Sequence, residues 1–176
     1  MILRPTKLAG AVVAEPEPLA DERGFFARTF SRDEFAAAGL DGDVAQCSVS
    51  FNAAAGTLRG LHYQAAPHAE SKLVRCTQGA IYDVIVDLRP ESPTYCDWVA
   101  IELSATNRLG LFVPRGLAHG FQTLTPAAEV HYQISVRYEP NAARGVRWND
   151  PRFGIEWPPA ERIISARDRA FPDFVS

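Results

Sequence analysis

The sequence is short of the features that would set it apart from an ordinary globular chain. It has three cysteines, Cys47, Cys76 and Cys96, widely spaced and without a Cys-x-x-Cys pair. An odd count at that spacing offers neither a disulfide framework nor a zinc knuckle, and it predicts reduced thiols in a cytoplasmic protein. Long apolar runs are missing too. The best early one, Ala9 to Ala14, is six residues, too short for a signal-peptide core or a membrane span. There is no excess of positive charge: 18 Lys and Arg face 21 Asp and Glu, a net charge of -3. A general nucleic-acid binder is therefore not expected. No internal repeat and no linker rich enough to divide the chain stand out, so residues 1–176 are expected to form a single domain. A chain of this size buries roughly 70 per cent of its unfolded surface and needs neither disulfide nor metal to fold.

What is present is punctuation and short apolar runs. Hydrophobic residues make up 47% and charged residues 22%, which rules out a disordered chain. The 12 Gly and 13 Pro cut the chain into short pieces. Between them lie β-type runs at Ala11–Ala14, Phe25–Phe30, Val44–Phe51, Thr57–Gln64, Lys72–Thr77, Ala80–Leu88, Tyr95–Leu103, Leu109–Val113, Gly120–Leu124 and Val130–Tyr138. Many short strands with close turn signals predict an all-β sandwich or barrel rather than a βαβ sheet. One helix is signalled where Ser31-Arg32-Asp33-Glu34 has capping-box spacing and Gly39 follows as a stop. Ser165-Ala166-Arg167-Asp168 suggests a second, short helical turn.

Two strands have readable faces. Alternation puts Val130, Tyr132, Ile134, Val136 and Tyr138 on one side of their strand, predicted to point inward. In Ala80–Leu88, Tyr82, Val84, Val86 and Leu88 share a face, and Asp83 and Asp87 fall on the other with Ile81 and Ile85. The densest polar stretch, Gly56 to Gly79, carries His62, Gln64, His68, Glu70 and Lys72. A second stretch, Pro114-Arg115-Gly116-Leu117-Ala118-His119-Gly120, sets a histidine three residues after a glycine turn. Together they resemble the two motifs of the cupin superfamily. The second histidine of the usual His-x-His pair is replaced by Gln64, and an amide is a poor transition-metal ligand. The resemblance is thus to a cupin without its metal.

A longer ordered set narrows the match. Asp21-Glu22-Arg23-Gly24-Phe25-Phe26, Leu58-Arg59-Gly60-Leu61-His62-Tyr63-Gln64, Lys72-Leu73-Val74-Arg75-Cys76, Asp83-Val84-Ile85-Val86-Asp87, Ser92-Pro93-Thr94, Gly116-Leu117-Ala118-His119-Gly120-Phe121 and Trp148-Asn149-Asp150 resemble the dTDP-4-dehydrorhamnose 3,5-epimerase family over nearly the whole chain. The resemblance implies a cupin double-stranded β-helix, or jelly roll, with a few short helices. It also implies a homodimer with shared active sites, no metal or other cofactor, no membrane or nucleic-acid partner, and epimerisation of a nucleotide-linked 4-keto-6-deoxy sugar. By the same resemblance His62 is the base, Tyr132 the acid, Lys72 the cation that steadies the enolate, and Asp168 the carboxylate that orients the histidine. Gln46, Ser48 and His119 contact substrate, Arg23 and Arg59 bind its phosphates, and Tyr138 stacks on the thymine ring. Arg23 and Phe26 reach into the neighbouring subunit's site.

These residue types suit the reaction. Inverting a carbon beside a ketone requires a base on one face, an acid on the other and stabilisation of the enolate oxygen. Histidine titrates near neutrality, and the guanidinium fork suits a diphosphate. Arg59 and His62 have opposite strand parity, so sharing one pocket requires a bend or bulge, which Gly60 can supply. The chain departs from the family pattern at Arg28, Cys47, Ser48 and Ala143. Those departures keep open a single-carbon epimerase or one acting on another nucleotide-linked keto sugar. A metal-dependent cupin and a binding module without turnover are the further rivals. Gln64 argues against the first, and joint retention of His62, Tyr132 and Lys72 against the second.

Overall fold

The computed structural model describes residues 1–175. In chain order its elements are β1 (Ile2–Pro5), β2 (Val12–Glu15), β3 (Leu19–Asp21), β4 (Gly24–Phe26), α1 (Arg32–Ala37), β5 (Gln46–Asn52), β6 (Thr57–Gln64) and β7 (Lys72–Gln78). They continue with β8 (Ala80–Asp87), β9 (Trp98–Ser104), β10 (Gly110–Val113), β11 (Leu117–Thr123), β12 (Ala128–Ile134), β13 (Ala143–Gly145), β14 (Ile163–Ile164) and α2 (Ala166–Arg169). One sheet runs β1-β2-β10-β7-β12-β5; the other runs β13-β6-β11-β8-β9, with β14 parallel to β6. The β3–β4 hairpin pairs with neither. This is the all-β cupin jelly roll that the motifs imply. Among the described residues no helix is long and apolar enough to cross a membrane.

The two sheets meet through alternate residues. Val74, Cys76, Leu111 and Val130 from one sheet pack with Ile81, Ile85, Leu103 and Phe121 from the other. On β12, Val130 is fully buried and Tyr132 packs against this core. The far side of β8 is also covered, since Val84 and Val86 pack with Val146, Phe153 and Trp157 from the C-terminal segment. With both faces sealed, Asp83 and Asp87 are completely buried. A buried carboxylate needs partners. Asp87 gathers Arg89, Ser92 and Thr94 at 2.6–2.8 Å, and its acid group is held down at about 2 because these donors outweigh the effect of burial.

Both helical expectations match the structure. The Ser31 hydroxyl accepts from the Glu34 amide at the start of α1, and Gly39 takes a positive φ of 72° just beyond its end. Buried Phe35 on α1 meets the edge of Phe112 at 5.5 Å, closing the outer face of the first sheet. Removing such a ring costs about 3–5 kcal/mol. Ser165 caps α2 in the same way, accepting from the Asp168 amide at 3.1 Å.

Several strand limits differ from expectation. The run expected over Val130–Tyr138 leaves the ladder at Ile134. There two side-chain amides take over from strand pairing: Gln46 Oε1 accepts from the Tyr138 amide at 3.0 Å, and Gln64 Oε1 from the Glu139 amide at 2.6 Å. Tyr138 therefore does not share a strand face with Tyr132. The Phe25–Phe30 run is a strand only to Phe26, and the Tyr95–Leu103 run begins as a strand at Trp98, because residues 92–97 fold as turns around Asp87. The Gly120–Leu124 strand begins earlier, at Leu117. Strands β1, β3, β13 and β14 fall outside the runs read from the sequence.

Candidate active site

The site is built around an irregularity in β6. His119 faces His62 across β11 and β6, while Phe121 faces Arg59, so the register slips by one residue at Gly60. The slip is the bulge expected at Gly60, although His62 faces a cavity that Arg59 does not line. Gly60 has φ of 127°, and a Cβ there would lie 2.5 Å from the Gly120 Cα. Only glycine allows the two backbones to approach so closely.

Beyond the bulge, His62 projects into a cavity of about 180 Å³ lined also by Gln46, Lys72, Glu70, Ile134 and Tyr138. Its Nε2 lies 2.7 Å from Asp168 Oδ1, and Asp168 Oδ2 accepts from the Gly60 amide at 3.2 Å. The His62 side chain is 40% exposed and that of Asp168 6%. Burial pushes the Asp168 carboxyl up, but His62, the Gly60 amide and Ser165 together outweigh it and hold it below its ordinary value. An ionised Asp168 accepts the Nε2 proton, which leaves Nδ1 with its lone pair as the base.

The opposite wall comes from the other sheet. Lys72 Nζ pairs with Glu70 Oε1 at 2.8 Å, both side chains being largely buried. Tyr132 lies opposite Ser48 on β5 and Val74 on β7. Burial, then the charge of Asp83, raise the Tyr132 phenol well above its ordinary value, and Arg59 offsets only part of this. The phenol therefore keeps its proton at neutral pH and is a donor. Behind it stands a second histidine–carboxylate pair, His119 Nε2 and Asp83 Oδ1 at 2.7 Å. Their side chains are 5% and 0% exposed, and the His119 ring centre is 6.1 Å from that of Tyr132. Burial raises the Asp83 acid group, and the charges of His119 and Lys72 do not fully reverse it.

The residues singled out in the sequence thus fall into three groups. His62, Lys72, Gln46 and Tyr138 line the cavity, Tyr138 from the turn after β12 with more than half its surface exposed. Asp168 bonds His62, whereas Tyr132 and His119 pack edge to face with each other and do not line the cavity. Ser48 shares a face of β5 with Gln46 but is exposed and does not line the cavity, and Cys47, also exposed, takes the other face. Arg59 is exposed and donates to Asn52 Oδ1 at 2.8 Å. Arg23 and Phe26 lie on the β3–β4 hairpin; Arg23 pairs with Asp21 and Phe26 is 73% exposed. Arg28 is held by Glu34 at 2.8 Å, and Ala143 lines the cavity.

Sequence reasoning left out Tyr63, Arg144 and Arg167, which also line the cavity. Arg144 arrives on β13, a three-residue strand with no pattern to betray it. Arg167 sits next to Asp168 on α2, and that adjacency was the available signal. Gln64 is engaged as a clamp, donating to the His68 carbonyl at 3.0 Å as well as holding the Glu139 amide.

An imidazole on one sheet and an ammonium on the other thus face one cavity, with the Tyr132 phenol on the Lys72 sheet outside its lining. Comparison with known proteins points the same way. Residues 5–176 match the protein-family model described as dTDP-4-dehydrorhamnose 3,5-epimerase. A dTDP-4-dehydrorhamnose 3,5-epimerase of Sinorhizobium fredii is 40% identical, over 98% of this chain and 89% of its own. The structure of dTDP-6-deoxy-D-glucose-3,5-epimerase from Legionella pneumophila, in complex with dTDP-4-keto-L-rhamnose, superimposes with a TM-score of 0.90 at 31% identity, covering 99% of both chains. A 3'-monoepimerase from Streptomyces bikiniensis in complex with dTDP-quinovose also reaches 0.90, at 35% identity, over 97% of this chain and 86% of its own.

Proposed function

This chain belongs to the dTDP-4-dehydrorhamnose 3,5-epimerase family, a family of isomerases, and we propose that it converts dTDP-4-dehydro-6-deoxy-D-glucose to dTDP-4-dehydro-L-rhamnose. The observation that carries this reading is His62 facing the cavity from one sheet while Lys72 and Tyr132 stand on the other. His62 Nδ1 takes the proton from a carbon flanking the 4-keto group. The electron pair moves onto the ketone oxygen as an enolate, which the Lys72 ammonium stabilises. Tyr132 returns a proton to the opposite face of the ring, and the enolate collapses to the ketone. Once His62 has released its proton to solvent and Tyr132 has taken one up, repetition at the second flanking carbon completes the double inversion. No metal is needed, because the cation is Lys72 and both histidine Nε2 atoms are engaged by carboxylates.

The test is incubation with the 4-keto substrate in heavy water, with proton NMR of the recovered sugar. Deuterium at both carbons flanking the ketone, together with L-rhamno product, is the expected result. Deuterium at neither overturns the reading. Exchange at one carbon favours the second reading, a single-carbon epimerase, to which the structural likeness of the 3'-monoepimerase gives weight.

The enzyme is further read as a cytoplasmic homodimer. Its three cysteines are free, as in a reducing compartment. Leu19, Phe25 and Phe26 on the β3–β4 hairpin, and Val49 and Phe51 on the sheet edge formed by β5, are all more than 45% exposed. Apolar surface of this kind suits an interface. Arg23 at the hairpin tip then serves the partner's diphosphate site. Mixing His62→Ala with Arg23→Ala chains should restore activity at sites that receive both intact residues. No recovery after proven subunit exchange overturns the shared site.

A further inference from the structure

We propose that Glu70 is a specificity-determining residue of this cavity, accepting a hydrogen bond from a ring hydroxyl of the substrate through its second carboxylate oxygen. The proposal rests on the sugar-nucleotide reading above and adds a selectivity to it. Glu70 is only 8% exposed, and its Oε1 holds the Lys72 ammonium at 2.8 Å. Its Oε2 is buried and has no hydrogen-bond partner. A buried carboxylate oxygen without a donor is costly, more so than a neutral acceptor. Glu70 also lines the cavity, so a turn of its side chain presents this oxygen to a donor bound there.

Three other acceptors of that cavity are committed. The amide oxygens of Gln46 and Gln64 hold the backbone of Tyr138 and Glu139, and His62 Nδ1 is reserved for the proton in flight. Glu70 is the carboxylate among the described lining residues. Its charge repels a diphosphate, so it selects a neutral donor. A 4-keto-6-deoxyhexose linked through its first carbon offers such donors at its second and third carbons. Lys72, fixed by the same carboxylate, is the group assigned to the ketone oxygen between the reacting carbons, which puts Glu70 beside the ring rather than beside the base or the phosphates.

The test is calorimetric binding of dTDP, dTDP-glucose and its 2-deoxy and 3-deoxy analogues to the native enzyme, Glu70→Ala and Glu70→Gln. Native protein should bind dTDP-glucose about 10–100-fold more tightly than one of the two deoxy analogues. Both variants should lose that preference. In Glu70→Gln the amide oxygen goes to Lys72 and a donor, not an acceptor, faces the ring. Binding of dTDP within about threefold of native shows that the variants are folded and the nucleotide end is intact. A preference that survives in both variants, or native protein that distinguishes neither analogue, overturns the proposal while leaving the nucleotide reading in place. Native protein that binds no thymidine nucleotide overturns both.

Discussion

Two histidine–carboxylate pairs stand in this molecule at the same 2.7 Å separation, and they differ in nearly everything else. In one, His62 opens to the cavity and Asp168 is held ionised by His62, a backbone amide and a serine. In the other, His119 and Asp83 are sealed between the sheets, and burial drives the Asp83 acid group upward. Asp168 has several donors; Asp83 has one oxygen unpartnered. A short distance therefore does not define a catalytic dyad. Exposure of the imidazole and the donor count around the carboxylate separate a base from a structural pair.

The sharpest way to break this comparison is to remove each imidazole in turn. His62→Ala should slow exchange of the sugar's α-protons with solvent by about 10²–10⁴ and change stability by about 1 kcal/mol or less. His119→Ala strands a buried carboxylate and should cost about 3 kcal/mol in urea unfolding. Equal stability losses in the two variants would erase the distinction.

Next comes the proposed acid, Tyr132, whose ring packs edge to face on His119 of the sealed pair. Tyr132→Phe keeps the ring and removes the donor. Deuterium should still enter the sugar, while inverted product forms about 10²–10⁴ more slowly. Normal inversion would make Tyr132 a packing residue, with water as the proton source.

A smaller effect is expected at the rim. Tyr138→Ala should weaken dTDP binding by about 1–3 kcal/mol, the range of base–aromatic stacking, with little change in the catalytic step. Unchanged affinity would place the base elsewhere and give Arg28 more weight in choosing it.

The smallest effect is one of sign. Asp168 titrates lower in the folded protein than its ordinary 3.8, so its contribution to stability is present above that pH and lost as pH falls through its folded value. Asp83 titrates higher than 3.8, so its contribution is present below that pH and lost as pH rises through its folded value. Urea melts against pH should show Asp168→Asn flattening the acid loss below about 3.8 and Asp83→Asn flattening a decline above it. Slopes altered in the same direction would contradict the assignment.

The two pairs were unequally legible in the sequence. His62 and His119 announce themselves by motif, and the bulge at Gly60 followed from strand parity together with the pocket that the resemblance assigns to both Arg59 and His62. The α2 turn was visible because Ser165 stands three residues before Asp168; Ser165 opens the helix, and Asp168, whose amide it caps, reaches His62. Burial of Asp83 was not legible, since alternation in β8 marks two faces without saying that the one carrying Asp83 with Ile81 and Ile85 is the face that meets the other sheet. Nor was the end of β12 at Ile134. Val136 and Tyr138 continue the period of two, and the competing acceptors lie 92 and 75 residues from the amides they hold. Local patterns report propensity; long-range side-chain bonds that end a strand leave no local trace.

Those two acceptors have a mechanical consequence. Gln46 belongs to one sheet and Gln64 to the other, yet they hold consecutive backbone amides, those of Tyr138 and Glu139. The rim of the cavity is therefore strung as a short strut between the two walls. Any motion that spreads the walls must stretch the strut or release one end, so the width of the entrance and the spacing of the sheets are set together.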